Sequence, residues 1–246
     1  MDRRSLLLAG GVFAGSLLGG GVAHAAVQWP MFEWEKRGGF FSPGVGVMEP
    51  PLLAVYGDGE AYADAVAHRY LSGPQARDLQ DHAVTVLRNR ANVRRLPDRD
   101  PPRDAPSDRV RVRTTDGHYL TAHLDGWGHG DEWGDFPRAL HELYDHLQTL
   151  RRAVRADGEP WRPDALLLVA VHLDVEPDEC GPWPGGVPVP KVGADRRYLE
   201  TKYAGAKARR VRRGLPRSGE PGWPCYRTPA GAFVAANWRY SLPHEW

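Results

Sequence analysis

The stretch PLLAVYGDGEAYADA, Pro51 to Ala65, places an apolar run and a second extended run on either side of Gly57-Asp58-Gly59. An Asp-Gly pair between such runs is a strong hairpin signal, because glycine takes the positive φ that a tight turn demands. The spacing predicts a hairpin whose tip is Tyr56 to Gly59. Just downstream, Pro74 stands where a first helical position would fall, and Ala76, Leu79, Ala83, Val86 and Arg90 follow at intervals of three and four. That is the stripe of an amphipathic helix.

The same design recurs. In RVRVRTTDGHYLTAHL, Val110 and Val112 alternate with arginines, Asp116-Gly117 supplies the turn, and Tyr119 to Leu124 returns. A helix is expected to open at Asp135 as N-cap, with Pro137 just inside and Leu140, Leu143, Leu147, Leu150 and Val154 along one face. Between the two units, residues 97 to 108 are charged and proline-rich, which suits a loop and not a sheet interior. Met31 to Lys36 alternates like a strand. Two hairpin-helix units argue for an antiparallel sheet packed by helices, an α+β fold. The expected organisation is an α+β domain over residues 26 to 155. Residues 156 to 246 form a loop-rich C-terminal extension packed on that domain. Within the extension, Ala165 to Leu173 reads as a buried strand, Ala194 to Arg213 as the place for a short basic helix, and PAGAFVAANWRYSL as a closing hairpin around Ala230-Gly231.

Residues 1 to 25 read as an export signal. Asp2-Arg3-Arg4 precedes a glycine-rich apolar segment that ends in Ala23-His24-Ala25, a small-x-small cleavage pattern. Arg3-Arg4-Ser5-Leu6-Leu7 resembles the twin-arginine signal. Once Arg3, Arg4 and Asp2 are removed, the 32 basic and 31 acidic residues become 30 of each, so net charge nominates no partner and nucleic acid is not expected. No later segment reaches the ~18 consecutive apolar residues of a membrane span. In an oxidising compartment, the pair Cys180 and Cys225 favours one structural disulfide, and a spacing of 45 residues is unlike a metal knuckle.

Several of these pieces resemble a domain of secreted bacterial proteins of unknown function. They are Tyr56-Gly57-Asp58-Gly59, Ser72 to Leu87, Asp104-Ala105-Pro106, Thr115-Asp116-Gly117 and the helix Leu140 to Leu150. The ending CYRTPAGAFVAANWRYSLPHEW is similar to that of exported actinobacterial proteins. The Cys-Pro-x-Tyr pattern that many such relatives carry in an early strand is absent here. The resemblance implies a fold and a location outside the cytoplasm, and it implies no reaction.

His123-Leu124-Asp125 and His172-Leu173-Asp174 repeat one tripeptide at the ends of two expected strands. Positions i and i+2 share a strand face, so each triplet aims an imidazole and a carboxylate together. Were the strands neighbours, the four groups could hold a divalent metal for an enzyme, with His129 as a fifth ligand. The simpler reading is a pair of solvated strand ends, with Trp127 and Trp133 anchoring the loop AHLDGWGHGDEWGD. His141 and His146 are five residues apart on an expected helix, which turns them about 140° from one another and defeats the zinc-protease pattern. Neither a nucleophile elbow nor a nucleotide fingerprint occurs. Lys207 to Arg217 concentrates positive charge, and nine tryptophans raise stacking on sugar rings, with Trp161, Trp183 and Trp223 in expected loops. The expectation is therefore an exported, non-catalytic binding or interaction module without cofactor. It would meet a cell-wall polymer or another envelope protein through Trp127, Trp133, Arg209 and Arg210. The alternative is the metal-dependent enzyme.

Overall fold

The computed structural model describes residues 28–37, 45–97, 106–128, 135–174, 176–217 and 223–245. The signal segment, His129 and Trp133 lie outside them. The chain folds as α+β around two sheets. The larger has the order β6-β5-β1-β2-β3-β4-β7 and is antiparallel throughout. Its strands are β1 (Phe32–Arg37), β2 (Leu53–Val55), β3 (Glu60–Ala63), β4 (Ala67–Tyr70), β5 (Ser107–Arg113), β6 (Tyr119–Asp125) and the short β7 (Glu159–Pro160).

Both expected hairpin tips form around glycine. Gly59 and Gly117 have φ of 94° and 88°, and their amides donate to Tyr56 O and Thr114 O at 3.0 and 2.9 Å. At Gly59 a Cβ would lie 2.8 Å from the Leu71 carbonyl oxygen, so that corner admits no side chain. The run after the first tip departs from expectation. It turns back at Asp64 and Ala65, whose φ values are 51° and 48°, and becomes two strands. Asp64 is held there by Arg151 at 2.7 Å and Arg155 at 3.0 Å. Aspartate tolerates the left-handed region better than most residues.

Helix α2 (Gly73–Arg88) begins with a reciprocal cap, in which Ser72 Oγ accepts from the Gln75 amide and the Gln75 side chain accepts from the Ser72 amide. Its buried stripe is Ala76, Leu79, Ala83, Val86 and Leu87. Arg90 lies past the helix end and is exposed. Helix α3 (Arg138–Asp157) buries Leu140, Leu143, Leu147 and Val154. Its N-cap is Pro137, without a side-chain cap. Asp135 instead pairs with Arg95, because a part-buried guanidinium is a stronger partner than a free amide. The two helices cover one face of the large sheet over a core containing Phe32, Trp34, Leu53, Val110, Val112 and Leu124.

The C-terminal third is more regular than a loop-rich extension. It builds a second sheet of order β10-β8-β12-β11-β9, from β8 (Ala165–Leu173), β9 (Gly181–Pro182), β10 (Tyr198–Ala204), β11 (Cys225–Arg227) and β12 (Phe233–Tyr240). The expected buried strand is β8, and the closing hairpin is β11–β12 with Gly231 at φ 88°. Strand β10 was not foreseen, because YLETKYA mixes both polarities on both faces. Helix α4 (Gly205–Gly214) buries Ala208 and Val211, packed with Leu166, Leu168, Trp183, Val234 and Trp238. Cys180 and Cys225 are joined as a disulfide, with Cα atoms 4.7 Å apart. Among the described residues no helix is long and apolar enough to cross a membrane.

Candidate functional site

The second face of the large sheet carries charge where a one-sided sheet would carry water-facing residues. Alternation along β1 puts Phe32 and Trp34 under the helices and Glu33 and Glu35 on the opposite face. In β5 it does the same for Val110 and Val112 against Arg109 and Arg111. Glu33 Oε2 receives Arg111 Nη2 at 2.9 Å and Arg109 Nη2 at 3.1 Å. The segment after β12 then covers this face. Leu242 packs with Tyr56, Tyr62, Ala54 and Trp161, and Trp161 Nε1 donates to Ser241 O at 3.1 Å. A short 3-10 turn, Pro243–Glu245, delivers His244 onto Glu33.

His244 sits in a line of three buried groups. Its Nε2 is 3.1 Å from Glu33 Oε1 and its Nδ1 is 2.6 Å from the Tyr56 hydroxyl. A carboxylate can only accept, so Nε2 donates to Glu33, and Nδ1 shares a hydrogen bond with the Tyr56 hydroxyl. Burial alone would raise the Glu33 carboxyl. The hydrogen bond from His244 and the charges of Arg111 and Arg109 outweigh it and hold the group below the usual carboxylate range. Burial pushes the Tyr56 hydroxyl well above its ordinary value. Beside this line, Arg239 Nη1 and Nη2 clasp Glu245 with both contacts at 2.7 Å, and Arg239 Nε donates to Val47 O at 2.8 Å. Val47 belongs to the one-turn helix α1 (Val45–Met48). Glu245 is part-buried, which would raise it, yet Arg239 and the Leu242 amide keep it low.

A pocket of about 290 Å³ opens at this seam, lined by Trp29, Leu167, Glu200, Lys202, Arg239, His244 and Glu245 among others. Trp29 is 53% exposed. Its ring lies 5.7 Å from that of His244, and Arg111 approaches it at 5.5 Å. Lys202 and Glu200 stand exposed on β10, and Glu200 accepts a hydrogen bond from Tyr198. The pocket thus presents an aromatic surface, the exposed Lys202 and Glu200, and the Arg239–Glu245 pair.

The residues singled out from sequence do not assemble. Trp127 is 1% exposed, with its ring centroid 4.9 Å from Tyr144 and 6.0 Å from Trp34. It is core and offers no face to a ligand, because the loop folds it under the sheet. Trp183, also buried, donates to Val187 O. Arg209 and Arg210 are exposed on α4, and Arg209 pairs with Asp164 at 3.2 Å. His123 and Asp125 lie on β6, at one edge of the seven-stranded sheet. His172 and Asp174 lie in and beside β8, inside the other sheet, and Asp174 pairs with Arg197 at 3.1 Å. The strands are not neighbours, so the two triplets share no centre. Among the described residues no group of three or more His, Cys, Asp or Glu is placed to hold a metal ion.

His141 and His146 also part company on α3. His141 Nε2 meets Phe136 O at 2.8 Å. His146 faces His82 of α2, with Nδ1 atoms 3.2 Å apart. Burial and the charge on His82 hold His146 below the ordinary histidine value.

Sequence reasoning missed Trp29, Glu33, Tyr56, Arg239 and His244. A signal existed for one of them: Arg239 interrupts the mostly apolar FVAANWRY. A charge in a strand buried on both faces requires a partner. No family model, curated protein or solved structure matches the chain.

Proposed function

We propose that the protein is an exported, non-catalytic binding module, and that its ligand is a saccharide unit of a cell-envelope polymer seated on Trp29. The observation that carries this reading is a half-exposed indole at the mouth of a pocket of about 290 Å³ whose lining includes Lys202 and Glu200. That size suits one sugar ring. An indole face packs against the C–H face of such a ring, while Lys202 and Glu200 supply a donor and an acceptor for its hydroxyls. Binding is favoured over chemistry because the groups that could move protons are already committed. Both nitrogens of His244 have partners, and Arg239 and Glu245 satisfy each other. Export is supported by the leader-like segment of residues 1 to 25 and by the disulfide.

The test is calorimetric titration with soluble cell-wall oligosaccharides, read together with tryptophan fluorescence. The expected result is saturable binding that Trp29→Ala weakens at least about tenfold, since stacking carries the affinity. The variant should unfold at the wild-type temperature. Equal binding by the wild type and Trp29→Ala would move the ligand elsewhere, and no binding to any wall fraction would end the reading.

A further inference from the structure

We propose that Arg88, Arg90 and Arg94 make a separate binding site, a pocket for the phosphate group of a small phosphomonoester whose organic part lies on an apolar floor. The pocket shares no lining residue with the one at Trp29, so this inference is independent of that reading. It has a volume of about 540 Å³ and opens between the end of α2, the turn that follows, and β6. Strand β6 is the last of the seven-stranded sheet, so no further strand fills the space beside it. Leu87, Val93 and Leu120, all packed on the large core, form the floor. The three arginines stand exposed around it. A pocket of this size suits a small organic ligand held by a few polar groups.

Charge distinguishes the place. Elsewhere the arginines beside the large sheet are answered by carboxylates, Arg109 and Arg111 by Glu33, Arg151 and Arg155 by Asp64, and Arg95 by Asp135. Among the described residues, none of Arg88, Arg90 and Arg94 meets a carboxylate, and none that lines the pocket is acidic. Arg88 alone would suit the negative end of α2, whose last turn it occupies. Arg90 and Arg94 lie past the helix, so the dipole does not account for three cations around one space.

The turn that carries them is fixed. Asn89 Oδ1 accepts from the Ala91 amide at 3.0 Å, the Asn92 amide donates to Asn89 O at 2.9 Å, and Asn92 Nδ2 donates to Val86 O at 3.2 Å. Just beyond it, the Leu96 amide donates to Asp135 O at 2.8 Å. Arg90 and Arg94 thus project from a backbone tied at both ends, which lowers the cost of ordering them on a ligand. Three like charges repel across a shared space, and an anion among them removes that repulsion. A carboxylate brings a single negative charge. A phosphomonoester brings about 1.5 to 2 at neutral pH, with three acceptor oxygens, and so matches three guanidinium forks better.

The experiment titrates the purified full chain with phenyl phosphate at about 0.15 M salt, followed by calorimetry and by the phosphorus resonance, with inorganic phosphate and benzoate as comparison probes. Phenyl phosphate should saturate at one equivalent. Inorganic phosphate should bind several-fold more weakly because it leaves the floor uncovered, and benzoate about tenfold more weakly because it brings less charge. Arg88→Gln, Arg90→Gln and Arg94→Gln should each weaken phenyl phosphate about tenfold, while Arg210→Gln, at an exposed position of α4, should leave it unchanged. Benzoate that binds as tightly as phenyl phosphate, or arginine variants that bind it like the wild type, would overturn the proposal. So would sedimentation with phosphatidylglycerol vesicles by a chain that ignores phenyl phosphate, since the arginines would then be a membrane-facing patch.

Discussion

The seven-stranded sheet lies under two helices of 16 and 20 residues, whereas the five-stranded sheet has one helix of 10. In the first, the helices bury leucines and valines against a continuous apolar face, and the arrangement requires no covalent link. In the second, α4 turns two residues inward, and the polypeptide between its strands is cross-linked by Cys180–Cys225. The difference shows how a short basic helix with a thin apolar stripe is compensated. Constraint of the unfolded chain and a shared polar seam contribute where burial is thin. The seam is the Glu33–His244–Tyr56 line with the Arg239–Glu245 clasp, and it belongs to both sheets.

The strongest way to break the comparison is to remove the group both sheets use. Glu33→Ala leaves Arg111 without its counter-charge, Arg109 with Glu35 alone and His244 Nε2 without its acceptor, and should cost about 3–5 kcal/mol in urea unfolding. A loss below about 1 kcal/mol would mean that water replaces the carboxylate and that the sheets stand independently. Next comes the double replacement of Cys180 and Cys225 by serine. Opening a 45-residue closure should cost roughly 4 kcal/mol. Hydrogen exchange should quicken in β11 and β12 while α3 and β5 keep their protection. Equal quickening in both sheets would erase the contrast.

A titration separates the helix-covered face of the large sheet from the seam by sign. Asp108 is buried, accepts from Trp34 Nε1 at 2.6 Å, and is pushed up to about 6 by its burial. A raised carboxyl gives stability that is complete below its unfolded value and is lost as pH rises through the folded one. From pH 4 to 7 the large sheet should therefore lose up to about 3 kcal/mol. Glu33 and Glu245 are lowered, so their contribution is present above the ordinary carboxylate value and fades as pH falls through their folded values. Asp108→Asn should flatten the first trend and spare the second, as followed by melting temperature against pH. A smaller effect is expected at the α2 cap, where Ser72→Ala should cost about 1 kcal/mol and loosen the first turn of that helix. Smallest of all, Trp29→Ala should change stability by less than about 0.5 kcal/mol, since half of that ring is already in water.

Local chemistry made much of the fold readable. Glycine at two turns, proline after Ser72, leucine at helical intervals and the mostly apolar run of β8 each act within a few positions, and each structure formed where it was expected. What stayed hidden was set by distant partners. Asp64 and Ala65 bend the chain because Arg151 and Arg155 arrive from α3. Asp135 leaves its helix because Arg95 is near. Trp127, surrounded by glycines in sequence, is core because Trp34 and Tyr144 are beside it in space. The seam was illegible for the same reason, since no local pattern links Tyr56 to His244. His146 shows the limit from the other side: spacing within α3 separates it from His141, and its neighbour, His82, lies on another helix.

The Tyr56–His244 hydrogen bond spans 188 residues, and this has a kinetic consequence. Contacts of such separation form after the local hairpins and helices have reduced the search. Once they form, they act as a brake on leaving the native basin. Alterations at the seam should accelerate unfolding and barely slow refolding, so the lifetime of the native state, and with it resistance to proteases, is governed at His244 and not in the cores.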